Sequence, residues 1–381
     1  MLTSLSIQHF KCFSNLRLGL APLTLLAGYN GGGKSTSIQP LLLISQAIRG
    51  SSNPARLRLN GPLVKLGTVG DVVLPTGSPT FEITADEHPI TWRFTAKAGE
   101  RSLYITDAVA PDALAQPITW NETIWPRHLT PEKPLHPVRK ALSTLSYLTA
   151  IRSGTPDVYP FPEIDDGIFG DVGSEGQFAA YWYDKMVDEE VPSGRAYLKE
   201  STTTLRKELD THLSLLFPNA QANVTAIPQA SSLALRFRIG DSSEWRRPAN
   251  IGFGFTYAFP ILVALLTLPP GHTFIMDSPE AHLHPSAQSQ MGRILARIAS
   301  AGVQVIAESH SDHLLNGIRL AVKEHLIRHD QVAIHFFGGP KPEAHGVISP
   351  AIDPAGTISD WPSGFFDQTE KDLAHLSGWA Q

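Results

Sequence analysis

Cysteine is nearly missing from this chain: Cys12 is the only one in 381 residues, so no internal disulfide framework exists and a reducing compartment is the natural setting. Long apolar runs are missing as well. The best of them, Phe259 to Leu268, is about half of the roughly 18 residues a membrane span needs, so it reads as a buried helix and no membrane partner is expected. The opening segment Met1 to Ser6 carries neither a basic leader nor an apolar stretch, and a cytoplasmic location is the resulting expectation. Charge of one sign is not in excess either. A net charge of −5 gives no whole-chain field for nucleic acid, and the basic pairs Arg139-Lys140 and Arg246-Arg247 read as solvated surface pairs, so DNA is left open as a partner. No heptad run is long enough for a coiled-coil arm. What remains is ample for a core: 42% of residues are apolar, enough for one large domain with insertions or for two domains.

Against this background one segment stands out. Gly28-Tyr29-Asn30-Gly31-Gly32-Gly33-Lys34-Ser35 fits Gly-x-x-x-x-Gly-Lys-Ser/Thr at every fixed position, after the apolar run Pro22 to Ala27 and before a helix expected from Ser35 to Arg49. The glycines let backbone N–H groups point inward around phosphate, which sits at the helix's positive end. Lys34 reaches the terminal phosphates, and the Ser35 hydroxyl, followed by Thr36, is placed to ligate Mg²⁺.

Elsewhere the patterning is mixed. Leu5 to Phe10 alternates and leads toward Leu20 as a strand pair. Phe81 to Ala85 and Ile90 to Phe94 alternate around an Asp86-to-Pro89 turn and predict a hairpin. Prolines crowd 111 to 137 as an irregular connection that would suit a docking loop. Leu142 to Ile151 reads as a buried strand ending at Arg152, a helix is expected from about Glu175, another over Tyr197 to Leu216, and a β pair over Ala222 to Ile239.

A second chemical cluster lies toward the C-terminus. Thr273-Phe274-Ile275-Met276-Asp277 is an apolar strand ending in a carboxylate, the support an Mg²⁺-coordinating aspartate needs opposite a phosphate loop. Ser278-Pro279-Glu280-Ala281-His282-Leu283-His284-Pro285 follows, and the apolar strand Val303 to Ala307 then runs into Glu308-Ser309-His310-Ser311-Asp312-His313. Strand, acidic tip, helix, strand, polar tip is the α/β pattern of a nucleotide-hydrolysing sheet. The histidines at 282, 284, 310 and 313 with Asp312 also permit a transition-metal reading, although a lone His-x-His is weak support for one.

These motifs together resemble the ATP-binding-cassette branch of P-loop ATPases, with RecF, SMC-type proteins and the overcoming-lysogenization-defect nucleases. Pro279-Glu280-Ala281-His282-Leu283-His284-Pro285 resembles the Pro-Glu-x-x-Leu-His-Pro segment of the last group, and Ile7-Gln8-His9-Phe10-Lys11-Cys12-Phe13 its Asn-Phe-Lys-x-Phe opening. Trp361-Pro362-Ser363-Gly364-Phe365-Phe366 matches the Trp-Pro-x-x-Phe-Phe tail of a set of bacterial AAA family ATPases. The resemblance implies an α/β fold: a cassette-type ATPase head with a mixed β-sheet core, an antiparallel β subdomain and a β/α insertion. The implied segments are an N-terminal ATPase lobe (1–50), a β-rich and helical insertion (51–240), a C-terminal ATPase lobe (241–345) and a tail packed on the core (346–381). It implies ATP and Mg²⁺ as ligands, with Gly28, Asn30, Gly31, Gly32, Gly33, Lys34, Ser35 and Thr36 around phosphate. Ser35 and Asp277 would hold the metal, and His310 would sense the γ-phosphate. Gly252, Gly254 and Thr256, in Asn250 to Thr256, stand where a second subunit's signature segment would complete the site, which implies a homodimer on ATP binding.

Two departures accompany the resemblance. The segment at 250 to 256 lacks the usual Leu-Ser-Gly-Gly pattern, and a plain glycine turn before a core helix is its bland alternative. The position directly after Asp277 is Ser278 instead of a glutamate, and a hydroxyl is no effective general base at neutral pH. Glu280, two residues on, is the candidate to position the attacking water, with slow or partner-stimulated hydrolysis to follow. About 70 residues follow His310, too few for a nuclease domain. The expected role is therefore a dimeric nucleotide-driven switch or scaffold in anti-phage defence or DNA maintenance, working with a separate effector such as a nuclease. The alternatives are an ATP-clamped binding module and a small-molecule P-loop kinase, the latter disfavoured by the signature segment and His310.

Overall fold

A computed structural model describes residues 1–49, 55–110, 124–125, 136–163, 168–192, 194–197, 203–241, 244–338, 346–359, 361, 364 and 366–377. Its centre is a six-stranded sheet. In spatial order this sheet runs β15 (Val347–Ile348), β14 (Val332–Phe337), β3 (Leu23–Gly28), β13 (Gln304–Glu308), β12 (Thr273–Asp277) and β8 (Leu145–Leu148). All neighbours are parallel except the β15 edge. Parallel strands are covered on both faces, which is why β3, β12 and β13 are near-continuous apolar runs.

The two-residue period of a strand splits those runs between two cores. Leu23, Leu25, Ala27, Phe274, Met276, Val305 and Ala307 face one core, shared with α6 (Phe253–Thr267), α7 (Pro285–Ser300) and α8 (Asp312–Lys323). Leu26, Ile275 and Ile306 face the other, shared with α1 (Lys34–Arg49), α3 (Pro137–Ser143) and the second sheet. Helix α6 is apolar around its whole circumference and is buried accordingly from Gly254 to Thr267 apart from Tyr257.

The second sheet is antiparallel: β2 (Phe13–Gly19), β1 (Leu2–Phe10), β5 (Thr80–Ala85), β6 (His88–Thr95), β7 (Ser102–Val109) and β4 (Arg56–Arg58). Its strands alternate, and Phe10, Phe81, Trp92 and Phe94 line the buried face. The indole of Trp92 is fully enclosed and donates to the Ile124 carbonyl at 2.7 Å, which removes the cost of burying its N–H. The β5–β6 turn is Asp86-Glu87, both at positive φ (47° and 67°), and is tighter than the Asp86-to-Pro89 turn the sequence suggests. A four-residue helix, α2 (Val69–Val72), lies beside the β1–β2 turn, where Lys11 N donates to the Val72 carbonyl at 2.7 Å.

A small third sheet joins β10 (Ala220–Ile227), β11 (Ser232–Ile239) and β9 (Tyr159–Pro160), packed with α4 (Ala179–Met186) and α5 (Leu205–Leu216). The chain's last described helix is α9 (Gln368–Leu376).

Several sequence expectations shift. Leu142 to Ile151 is not one strand: Pro137 occupies the first turn of α3, His136 caps it, and only Leu145–Leu148 is strand. The helix expected from Glu175 starts at Ala179, and the one expected from Tyr197 starts at Leu205. Residues 51–240, expected as one insertion, contribute strands to all three sheets, with β8 at one edge of the central one. The proline-rich docking loop falls almost wholly outside the described residues.

Candidate functional site

The parallel strands deliver their C-terminal tips to one edge, where β3 ends at Gly28, β13 at Glu308 and β12 at Asp277. The phosphate loop leaves β3 at this edge. Gly28 has φ of 131°, and a Cβ there would collide with the Phe337 carbonyl on β14; at Gly33, with φ of 100°, a Cβ would strike the Phe13 ring and the Cys12 sulfur. Both positions therefore require glycine for space as well as for conformation. Ser37 N donates to the Gly33 carbonyl at 2.9 Å as α1 begins, which aims the helix's positive end at the loop.

Lys34 is buried, and its Nζ donates to the carbonyls of Gly28 (3.1 Å) and Tyr29 (2.9 Å), bridging the loop it would open onto phosphate. Burial pushes its pKa down, opposed mainly by Glu308 and then by Asp277. A cleft of about 740 Å³ opens over the loop, within the range of small-molecule sites. It is lined by Asn30, Gly31, Gly33, Lys34, Ser35 and Thr36, and on its far wall by Asp277, Ser278, Glu308 and His310. The structure thus brings together the phosphate-loop residues, the aspartate and the histidine. Gly28 and Gly32 shape the loop from behind.

Glu308 is a residue that sequence reasoning passed over. Its backbone is in register with Asp277 on β12 and with Leu26 on β3, which puts two carboxylates on adjacent strand tips. Ser35 Oγ donates to Glu308 Oε1 at 3.0 Å, while Glu308 Oε2 is buried with no hydrogen-bond partner among the described residues. Burial raises the Glu308 pKa to about 7, with the Asp277 charge adding to the rise. The rim formed by Lys11, Cys12 and Val72 to Pro75 was missed as well, since nothing in sequence spacing places the β1–β2 turn over the loop.

The turn after β12 has its own chemistry. Ser278 adopts φ of 48°, and its hydroxyl donates to Asp277 Oδ1 at 2.8 Å, so it orients the aspartate. Glu280 does not line the cleft: its Oε1 accepts the His310 amide at 2.8 Å, and burial raises its pKa. In this conformation the residue expected to position water instead fixes the segment carrying His310. The His310 side chain is exposed to the cleft, with its pKa lowered by burial and then by Lys34. Arg152, 5% exposed, sends Nη2 to the carbonyls of Asp277 (2.9 Å) and Ser278 (3.1 Å) and lies over the Tyr257 ring at 5.1 Å. It braces the turn through its backbone and does not line the cleft.

The signature-like residues sit elsewhere. Gly252 is the N-cap of α6, Phe253 beside it is 55% exposed, Gly254 faces the His282 carbonyl, and Thr256 is buried with its hydroxyl on the Phe253 carbonyl at 2.9 Å. None of the three lines this chain's own cleft. The histidines divide by role: His282 packs edge-on against Tyr257, and His284 caps α7 by accepting from Ser286 N. Among the described residues no group of three His, Cys, Asp or Glu side chains is placed to hold a metal ion. The donors that do meet, the Ser35 hydroxyl and the Asp277 and Glu308 carboxylates, are all oxygens, and the orphaned Glu308 Oε2 marks a place where a hard cation such as Mg²⁺ fits.

One strand, β13, separates the phosphate-loop strand from the aspartate strand, and an antiparallel sheet flanks the loop helix. That arrangement is the fold of a cassette-type P-loop ATPase head. Residues 23–316 match the family model described as "AAA domain, putative AbiEii toxin, Type IV TA system", and the chain belongs to that family. Residues 327–376 match a second family model, described as a protein of unknown function (DUF3696). Among solved structures, the Smc head domain with an extended coiled coil bound to the C-terminal domain of ScpA, derived from Pyrococcus furiosus, is similar in fold. The TM-score is 0.50 at 11% identity, covering 99% of each chain. The SMC head domain from Thermotoga maritima gives a TM-score of 0.43 at 12% identity, covering 92% of this chain and 99% of that one. A stretch of 104 residues is 31% identical to 8-amino-7-oxononanoate synthase of Cupriavidus pinatubonensis; it spans 27% of this chain and about a quarter (24%) of that enzyme.

Proposed function

We propose that the protein binds Mg–ATP in the cleft above Gly28 to Thr36 and acts as a nucleotide-driven switch that closes on a second copy. One observation carries this reading: a phosphate loop whose lysine is held by its own loop carbonyls faces two strand-tip carboxylates across an open cleft. Gly31, Gly33 and Lys34 would take the phosphates, and Ser35 and Asp277 would hold Mg²⁺, which when bound neutralises phosphate charge and lends order to the transferred group. His310 stands in the cleft wall to register the γ-phosphate. Lys11, Cys12 and the 72–75 rim would receive the rest of the nucleotide.

The second copy would complete the site through Gly252 to Thr256. In support, this segment lies outside its own chain's cleft and presents an exposed Phe253 at the start of a buried helix. Slow ATP hydrolysis follows from Ser278 at the position next to Asp277 and from Glu280 being engaged by the His310 amide. The same two observations favour a second reading, in which ATP clamps a binding module and turnover is marginal. The resemblance in sequence supports a role in anti-phage defence or DNA maintenance with a separate effector, beside a family description that names a toxin of a type IV TA system. Light scattering tests the switch: mass should double with saturating Mg–ATP in the wild type and stay monomeric in Lys34→Ala. A wild type that remains a monomer at every ATP concentration contradicts it.

A further inference from the structure

Among the described residues no salt bridge reaches the carboxylates in the cleft, and Lys34 acts on them only through space. Glu308 is only 5% exposed, with one oxygen on the Ser35 hydroxyl and the other without a partner among the described residues. Asp277 is in register with it on the neighbouring strand, about 5 Å away by the spacing of strands. The nearby cations are engaged elsewhere, Lys34 with the carbonyls of Gly28 and Tyr29 and Arg152 with those of Asp277 and Ser278. Two neighbouring carboxylates facing an open cleft, Glu308 buried and Asp277 half-buried, attract a cation, and their donor set of carboxylate and hydroxyl oxygens suits a hard divalent one.

We propose that Glu308 is a metal-binding residue, which with Asp277 and Ser35 makes a two-carboxylate site that takes Mg²⁺ or Mn²⁺ before nucleotide arrives. This extends the Mg–ATP reading of the same cleft and rests on it for its biological sense. The cation would enter the free protein, where the usual pairing of one hydroxyl and one aspartate depends on the nucleotide's phosphates to hold the ion. Occupancy would draw Ser35 and Asp277 into place ahead of phosphate.

The test uses Mn²⁺ and the full chain without nucleotide. Free Mn²⁺ is followed by electron paramagnetic resonance during titration of the wild type and of Glu308→Gln, which keeps the acceptor for Ser35 and removes the charge. The wild type should bind one Mn²⁺, and the variant should bind it about tenfold more weakly or worse, as expected when one of two carboxylate ligands is lost. Equal affinities, or no binding to the wild type, would overturn the proposal. Melting in EDTA guards against a merely structural role: the variant should match or exceed the wild type there, and Mn²⁺ should raise the melting temperature of the wild type alone. A variant less stable than the wild type in EDTA would also overturn it. If Mn²⁺ binds as described while ATP does not bind, the nucleotide reading fails and the cation site stands; if ATP binds and Glu308→Gln takes Mn²⁺ normally, the reverse holds.

Discussion

The phosphate-loop end and the Gly252 end of the chain's candidate site are built differently. At the phosphate-loop end the loop, a lysine, a hydroxyl, two carboxylates and a histidine of one chain surround a single cleft. At the Gly252 end there is a helix N-terminus, an exposed phenyl ring and glycine packing against the His282 carbonyl, with no cleft of its own among those described. Under the proposed function the first end is a binding site in a single copy. The second lies outside that cleft, so under the proposed closure on a second copy affinity for ATP and closure on ATP should be separable by mutation.

The largest effect expected from breaking the phosphate-loop end without touching the loop is electrostatic. Glu308 has its folded pKa raised to about 7 from an ordinary 4.5, so below 4.5 both states are protonated and the group contributes nothing. As pH rises from about 4.5 to 7 the unfolded chain releases its proton first, and the metal-free protein loses up to about 3 kcal/mol of stability from this group. Denaturant titrations in EDTA at pH 5 and pH 7.5 should show this loss in the wild type and a smaller one in Glu308→Gln; identical slopes in the two proteins would count against it.

Next comes Arg152, the brace behind the Asp277 turn. Arg152→Met leaves the Asp277 and Ser278 carbonyls without their donor and should cost about 2 kcal/mol of unfolding free energy in urea. An unchanged midpoint would show that the brace is dispensable. The smallest effect belongs to the other end: Phe253→Asp places a carboxylate in the first turn of α6, where the helix dipole tolerates it. ATP-dependent self-association should weaken about tenfold, the scale for losing an exposed aromatic anchor, while ATP affinity stays unchanged. A parallel loss of both would erase the distinction between the ends.

Much of the first end was legible because its signals are local. A fixed spacing of glycines, a lysine and a serine after an apolar run specifies strand, loop and helix, and all three form where that spacing puts them. Asp277 was legible for the same reason, as a carboxylate at the end of an apolar strand. Glu308 carries that signal too, yet its importance depends on β13 lying between β3 and β12, a non-local fact that spacing does not encode. Glu280 was favoured for its closeness in sequence to Asp277; the turn through Ser278, at positive φ, swings it instead onto the His310 amide. Leu142, Leu145 and Leu148 satisfy a helical and an extended reading at once, and Pro137 with its His136 cap decides for helix up to Ser143.

The most direct test of a nucleotide site within each chain is calorimetric titration of the wild type and Lys34→Ala with ATP in Mg²⁺. Saturable binding of one ATP per chain is expected in the wild type, with affinity at least about a hundredfold lower in Lys34→Ala, in keeping with loss of the cation proposed to meet the terminal phosphates. No binding by the wild type, or binding indifferent to Lys34, would contradict the account.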